Sequence, residues 1–304
     1  MKIVYLHIGI HKTGTTFLQN VLSENRDKLI KNGYYYPVSA IPNSSFPGHH
    51  FLPRALSQNI DKFDKISTKK TNFQTWEKLL EEINDHKISN KIIISAEDFC
   101  LLSSDEILKL QEYFSGFSVK IIVYLRRQDE FLLSLYSELV KKGYYKSIEV
   151  AFNEYSDRFN YFKLLDRWKS VFGKENLRIG IYQKGHCLLS DFFKKIDLEI
   201  NLDDLTLRDV QYNQMINGKT LKVIRFLNKI CIHNFKIPND ICKIIYMKRL
   251  QNSRPQKIIA MIPGYILSDR ILSQDIKEYT LEKCRDTNQQ VSQEYFSVTD
   301  QNLF

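Results

Sequence analysis

The sequence predicts an α/β protein: a parallel β-sheet flanked by helices, with a helical C-terminal portion. Three observations predict it. Over the first two hundred residues, short runs rich in β-branched and aromatic residues alternate with stretches of helical periodicity, the pattern of strands joined by crossover helices. The first of those runs passes into a glycine-containing loop and then directly into a helix. After Asn201 the strand signal fades and only helical spacing persists. The chain has 304 residues, 43% of them hydrophobic, enough for a large buried core. We read it as one domain over 1–304, with an α/β core over 1–200 and a helical subregion over 201–304.

The elements follow in order. Lys2–Ile8 reads as a strand. Thr15–Ile30 has helical spacing in Phe17, Leu18, Val21, Leu22 and Leu29, and Asn32-Gly33 supplies a C-terminal stop. Tyr34–Pro37 is a brief extended piece. Val38–His50, rich in Pro, Ser and Asn, is a long loop, and Phe51–Gln58 a short helix. Trp76–Asn84 presents Leu79, Leu80 and Ile83 on one helical face. Lys91–Ser95 is a second buried strand, and Asp105–Tyr113 a helix. Val119–Leu125 is the strongest later strand and leads into a helix over Asp129–Lys142, closed by Gly143. Tyr161–Val171 is helical, Leu177–Tyr182 a fourth strand and Leu188–Ile196 a helix. Beyond Asn201, Leu221–Cys231, Ile241–Leu250 and Ser273–Phe296 are helical, separated by Pro238, Pro255 and Pro263-Gly264.

Composition narrows the function classes. No apolar run approaches the length that spans a bilayer. The apolar Met1–Ile10 is short, lacks a small-residue cleavage site and runs into a polar loop, so it reads as a strand and not a secretion signal. The cysteines Cys100, Cys187, Cys231, Cys242 and Cys284 form no C-x-x-C pair, which argues against a zinc or dithiol site and for free thiols in a reducing cytoplasm. The net charge of +9 suits an anionic nucleotide, a polyanion or an acidic membrane face. Lysine and arginine are spread along the chain without the basic block of a nucleic-acid arm, so no nucleic-acid partner is expected.

The segment His11-Lys12-Thr13-Gly14-Thr15-Thr16 sits between the first strand and the first helix. Backbone N–H groups of such a loop, together with the helix N-terminus, make an anion site. Gly14 permits close approach, Lys12 adds a full charge, and Thr15 and Thr16 add hydroxyl donors. Gly9 and Gly14 have the spacing of a Walker loop, but Thr15 stands where that motif requires lysine. The only nearby lysine, Lys12, lies on the other side of the glycine, so a triphosphate–magnesium site loses its main support.

A second anion site is expected where Val119–Leu125 ends. Arg126 lies at the strand's C-terminal end, where ligands bind in open parallel sheets, and Ser134 follows about two turns into the next helix. A planar guanidinium and a hydroxyl make a phosphate clamp. Arg127 takes the place of Arg126 if the register differs by one, and Asp129 is an alternative partner for Arg126. Two anion sites at strand ends suit a ligand with phosphate groups at both ends.

Both segments resemble the sulfotransferase family. The stretch LHIGIHKTGTTFLQ, Leu6–Gln19, is similar to the 5'-phosphosulfate loop of bacterial members, and YLRRQDEFLLSLY, Tyr124–Tyr136, to their 3'-phosphate segment. Asn288–Phe296 also looks like their closing helix. The resemblance implies a P-loop NTPase-like sulfotransferase fold with 3'-phosphoadenosine 5'-phosphosulfate (PAPS) as co-substrate, adenosine 3',5'-bisphosphate as product, and no metal. It implies that Lys12 contacts the bridging oxygen and helps the phosphate leave, with His11, Thr13, Gly14, Thr15 and Thr16 around the phosphosulfate and Arg126 and Ser134 on the 3'-phosphate. The glycine-rich R-K-G-x-x-G segment of eukaryotic cytosolic members has no counterpart here.

Transfer to an acceptor oxygen needs a base. His49 and His50 lie on the long loop, where bacterial members also carry a histidine, and Glu97 follows the second strand at the same sheet edge. All three are candidates; the alternatives are exposed loop histidines and a structural Glu97 that orients Lys12. His11 is expected to pack under the loop, and His7 in the core. Tyr34-Tyr35-Tyr36 and Tyr144-Tyr145 are expected to be half-buried aromatics before stacking platforms. The resemblance implies a hydroxyl or amine acceptor on a glycan or glycolipid, a cytoplasmic location, and contact with the inner membrane face. The competing functions are a P-loop nucleotide kinase or NTPase with Asp98 holding magnesium, and a non-catalytic nucleotide-binding module.

Overall fold

The structure, a computed structural model, describes residues 1–43, 46–57, 74–207, 216–234, 259, 271, 273–296 and 303–304. Five strands make one sheet: β1 (Ile3–His7), β2 (Tyr34–Tyr35), β3 (Lys91–Ser95), β4 (Ser118–Arg126) and β5 (Leu177–Tyr182). Their order is β2-β3-β1-β4-β5, and every neighbouring pair is parallel. A sheet covered on both faces needs apolar residues at consecutive positions, and β1, β3 and β4 have them. Tyr5, Ile93, Ile122 and Tyr124 face one side. They pack with α1 (Thr15–Glu24), α2 (Arg26–Lys31) and α9 (Leu188–Lys195) through Leu18, Val21, Leu22, Leu29, Leu189 and Phe192. The alternate residues Val4, Leu6, Ile92, Ile94, Ile121 and Val123 are also fully buried, so the other face is covered as well.

Two helices between β2 and β4 each bury an apolar face. In α4 (Gln74–Asp85), Trp76, Leu79 and Ile83 recur on one face and are fully buried. In α5 (Ser104–Tyr113), Ile107 and Leu110 are likewise buried. The two helices meet where Trp76 stacks on Tyr113, ring centroids 4.8 Å apart. Ser103 starts α5 with a capping box: its side chain accepts from the Glu106 N–H while Glu106 accepts from the Ser103 N–H. The short helix after the long loop is α3 (Phe51–Leu56), and the one before β5 is α8 (Tyr161–Phe172).

The helix expected over Thr15–Ile30 is broken into α1 and α2 at Asn25, which is buried. Its amide nitrogen donates to the Val21 carbonyl at 2.8 Å and to the Thr206 carbonyl at 3.0 Å, and its oxygen accepts from the Thr206 N–H at 2.8 Å. An asparagine side chain that competes with the helical ladder ends the helix locally. The extended piece after α2 is also shorter than Tyr34–Pro37, since only Tyr34 and Tyr35 pair with β3.

The chain divides into two compact units, Met1–Arg126 with Phe162–Tyr212, and Arg127–Tyr161 with Asn213–Phe304. The first holds the whole sheet. The second holds α6 (Gln128–Lys141), α7 (Ile148–Glu154), α10 (Gly218–Asn228) and α11 (Gln274–Tyr295). Within it, Gln128 and Asn288 exchange amide hydrogen bonds, and Asn228 donates to the carbonyls of Val140 and Tyr144. The helix expected to reach Cys231 ends at Asn228 and gives way to a π-helical turn over Lys229–Asn234. The helix expected over Ile241–Leu250 lies outside the described residues, as does Cys242. The other four cysteines are free thiols. No helix among the described residues is long and apolar enough to cross a membrane.

Candidate functional site

The site is built at the C-terminal edge of the sheet, around the central strand. From β1 the chain turns toward β2 and β3; from β4 it continues to β5 on the other side. The ends of β1 and β4 therefore flank the point where the connections diverge, which is where open α/β sheets leave a crevice. Beyond His7 the chain stays attached to β4: the Gly9 carbonyl accepts from the Tyr124 N–H at 2.7 Å, and the Ile10 N–H donates to the Tyr124 carbonyl at 3.1 Å. Gly9 has φ 101°, and a Cβ there would lie 3.0 Å from the Glu97 Cα, so only glycine fits.

The loop is held rigidly from within. Thr13 is fully buried and its hydroxyl donates to the Ile10 carbonyl at 2.6 Å. Lys12 adopts φ 65°, a left-handed conformation that costs a non-glycine residue about 1 kcal/mol. Arg126 secures that peptide, its guanidinium donating to the Lys12 carbonyl at 2.8 Å. Gly14, at φ 78°, is the N-cap of α1 and brings no side-chain cap. By contrast, α5, α7 and α11 each start on a serine that accepts from the first turn. The first turn of α1 thus has backbone donors without an intrahelical partner and no acid nearby in sequence, which favours an anion.

On the β4–β5 side the surroundings are cationic and aromatic. The Arg126 guanidinium lies over the Tyr182 ring, 5.3 Å from its centroid. Tyr182 and Leu188 also border Gly14, whose missing Cβ would sit 2.6 Å from the Leu188 Cδ2. The same two residues line a cavity of about 260 Å3 together with Tyr124, His186, Asp191 and Lys194.

The β3 side is a buried chain of titratable groups. β2 is only two residues long, so the Ser95 backbone has no strand partner on that side. His49 supplies one: its N–H donates to the Ser95 carbonyl at 2.7 Å and its Nδ1 accepts from the Ser95 N–H at 3.1 Å. Its Nε2 donates to the Pro37 carbonyl at 3.1 Å. Both ring nitrogens are engaged, and burial pushes the imidazole down to about 4. His50 sits differently, 4.0 Å from Glu97 and 3.8 Å from Asp98. Burial alone would lower it, but those two carboxylates outweigh burial and hold it above the ordinary histidine value. Burial would raise Glu97, and the imidazoles of His50 and His11 hold it below the usual carboxylate range instead. Asp98 is held well below that range against burial by His11 at 3.1 Å and by His50. Arg54 bonds its second oxygen at 3.3 Å. Gln19, from α1, donates to Glu97 at 3.0 Å and to the Ser95 hydroxyl at 3.3 Å.

The sequence-predicted residues thus separate. Lys12, Thr13, Gly14, Thr15, Thr16 and Arg126 come together, with His11, Glu97 and His50 on the adjoining side. His49 serves the end of β3 and has no nitrogen left for a substrate proton. Arg127 pairs with Asp129 through two bonds of 2.7 and 2.8 Å. Ser134 is half-buried on α6. The tyrosine run is tied up structurally: Tyr34 donates to the Ile196 carbonyl, Tyr35 to Glu82, Tyr36 to the Pro47 carbonyl. Tyr144 donates to Glu154. Sequence reasoning missed Tyr182, Gln19 and Arg54. Tyr182 had one usable signal, an aromatic at a strand's C-terminal end; the other two had none.

No family model matches the chain. It is 28% identical over 215 residues to an uncharacterised protein of Archaeoglobus fulgidus, a match covering 69% of this chain and 55% of that protein. The chain therefore spans about half the length of the curated relative it matches. Among solved structures, it is similar to a sulfotransferase from Alicyclobacillus acidocaldarius, at 14% identity and TM-score 0.43, over 75% of this chain and 95% of that one. It is also similar to the mouse sulfotransferase SULT7A1 complexed with PAP, at 10% identity and TM-score 0.38, over 86% and 89% of the two chains.

Proposed function

We propose that the chain is a sulfotransferase that moves a sulfuryl group from PAPS to a hydroxyl or amine of an acceptor, and that it works as a single domain. One observation carries the reading: Lys12 and Arg126 meet at the ends of adjacent strands, joined by the 2.8 Å bond to the Lys12 carbonyl, beside a helix N-terminus without a side-chain cap. Cations and backbone donors gathered at one sheet edge suit a ligand with several anionic groups. In this reading the α1 first turn, with Thr15 and Thr16, receives the 5'-phosphosulfate. His11, Thr13 and Gly14 shape the loop. Arg126, and Ser134 eight residues on, receive the 3'-phosphate, and Tyr182 offers an aromatic face to the base.

Lys12 then neutralises the phosphate as the S–O bond to it breaks. Of the three base candidates, Glu97 is the one we assign. His49 has both nitrogens engaged, and His50 is shifted above the ordinary histidine value, against burial, by its carboxylate neighbours. Glu97 is held ionised, accepts the acceptor's proton as its oxygen or nitrogen attacks sulfur, and keeps His50 as its counter-charge. The magnesium-dependent reading is weaker, because Asp98 already carries His11 and Arg54. The net charge of +9 supports an anionic saccharide or glycolipid acceptor, reached from the cytoplasmic face of a membrane. Thermal unfolding with added nucleotide tests the reading. Adenosine 3',5'-bisphosphate is expected to raise the Tm at concentrations where ATP with magnesium does not, and labelled PAPS to pass its label to a glycan acceptor. Selective stabilisation by ATP with magnesium would overturn it; bisphosphate binding without transfer to any acceptor would favour the non-catalytic module.

A further inference from the structure

The 3-10 turn that follows β3, Glu97–Leu101, sets a thiol against the far side of the same loop. Cys100 Sγ lies 3.5 Å from His11 Nδ1. His11 Nε2 lies 3.1 Å from one oxygen of Asp98, and Arg54 holds the other oxygen at 3.3 Å. A thiol, an imidazole that can take its proton, and an anchored carboxylate that orients the imidazole form the relay by which a nucleophile is activated. A second observation points to a small polar visitor. His50 is only 3% exposed, faces the Arg54-bound oxygen of Asp98 from 3.8 Å, and has no hydrogen-bond partner for its Nδ1 among the described residues. A buried imidazole nitrogen without a partner, close to a carboxylate, suits a small molecule that both donates and accepts.

We propose that Cys100 is an activated thiol and the chain's preferred site of oxidation by peroxides, with His11 taking its proton and Asp98 orienting His11. Burial alone would lower the His11 imidazole; Cys100 and Asp98 outweigh it and hold His11 well above the ordinary value, as a proton acceptor for the thiol requires. In the step, the Cys100 thiolate attacks one oxygen of hydrogen peroxide. An S–O bond forms, the O–O bond breaks, and the departing hydroxide takes the proton held on His11 and leaves as water. Sulfur is oxidised by two electrons to a sulfenic acid, and peroxide is reduced by two. None of this depends on the transfer reaction.

The chain carries its own controls. Cys187 is exposed, so access alone would favour it over Cys100, which is 9% exposed. Cys284 is buried and its thiol is pushed up to about 12, which makes it inert. The reduced full-length protein is treated with limiting hydrogen peroxide at neutral pH, sulfenic acids are trapped with dimedone, and the labelled peptides are mapped by mass spectrometry. Cys100 is expected to label first, and His11→Asn to slow it by about tenfold or more while Cys187 is unchanged. Labelling of Cys187 before Cys100 in the unmodified chain overturns the proposal without any variant. An unchanged Cys100 rate in a folded His11→Asn protein, or in Asp98→Asn, overturns it as well.

Discussion

The two flanks of β1 carry opposite chemistry. Toward β4, the loop and the strand end supply Lys12 and Arg126, with Tyr182 beside them and a backbone carbonyl as the bond between them. Toward β3, every cation has an acid near it: His11 with Asp98, Arg54 with Asp98, His50 with Glu97 and Asp98. The first flank brings a lysine, a guanidinium and a helix N-terminus without a side-chain cap to one edge of the sheet, a grouping that suits an anion. The second has its charges balanced internally, which keeps them ionised in a buried place and leaves protons, not anions, as what they exchange with a substrate. A reaction that binds a polyanion and removes a proton needs both, side by side.

The largest expected effect tests the division of labour on the β4 flank. Lys12→Ala removes the charge assigned to the leaving phosphate, and kcat is expected to fall by about a hundredfold or more, with a smaller loss in bisphosphate binding. Arg126→Ala removes both a phosphate donor and the bond that secures the Lys12 peptide. Its expected signature is the reverse, a loss of about 1.5–3 kcal/mol in bisphosphate affinity, measured by calorimetry. Equal losses of affinity and turnover in both variants would mean that the two cations act as one undivided clamp.

The next effect sharpens the contrast inside the β3 flank, where neighbouring histidines have opposite states. His7 and His49 are fully buried, with values lowered from 6.5 to about 4. Their folded values lie below the unfolded one, so their contribution is fully present above pH 6.5 and is lost as pH falls toward 4. Each accounts for about 3 kcal/mol of that loss. His50 and His11 are raised, so their contribution is present below 6.5 and is lost as pH rises through their folded values. Unfolding followed from pH 4 to 9 should show His49→Gln flattening the acid limb alone and His50→Gln the alkaline limb alone. The same limb moving in both variants would show that the two imidazoles share one environment.

The β4 flank was legible in the sequence because its chemistry is local. Strand, loop and first helical turn are contiguous over Ile3–Glu24, and Arg126 is marked by directly following an apolar run. The β3 flank was read only in part. Glu97 could be found as the residue after a strand, but the task of His49 depends on β2 stopping at Tyr35, a fact of sheet pairing and not of the loop's own residues. The break at Asn25 depends on Thr206, 181 positions away. Tyr182 is one of 17 tyrosines, and what sets it apart is the guanidinium over its ring, supplied by a different strand. The double arginine could not be resolved from spacing alone; β4 runs to Arg126, whose guanidinium bonds the Lys12 carbonyl, while Arg127 bonds Asp129.

The smallest effect concerns a side chain that joins the flanks. Gln19 belongs to α1, the helix whose N-terminus receives the anion, yet its buried amide points into the β3 flank and donates to both Glu97 and the Ser95 hydroxyl. Gly48 makes room for it, since a Cβ there would lie 2.6 Å from the amide. Gln19→Leu keeps the size and the helix propensity but removes the donor, which costs two hydrogen bonds of about 0.5–1.5 kcal/mol each. If Gln19 only orients the base, kcat drops by about threefold to tenfold while the affinity for adenosine 3',5'-bisphosphate stays within about twofold, because nothing on the β4 flank has changed. A matching loss of affinity would mean that α1 carries the disturbance back to its own first turn, and that the anion site and the proton site are coupled through this helix.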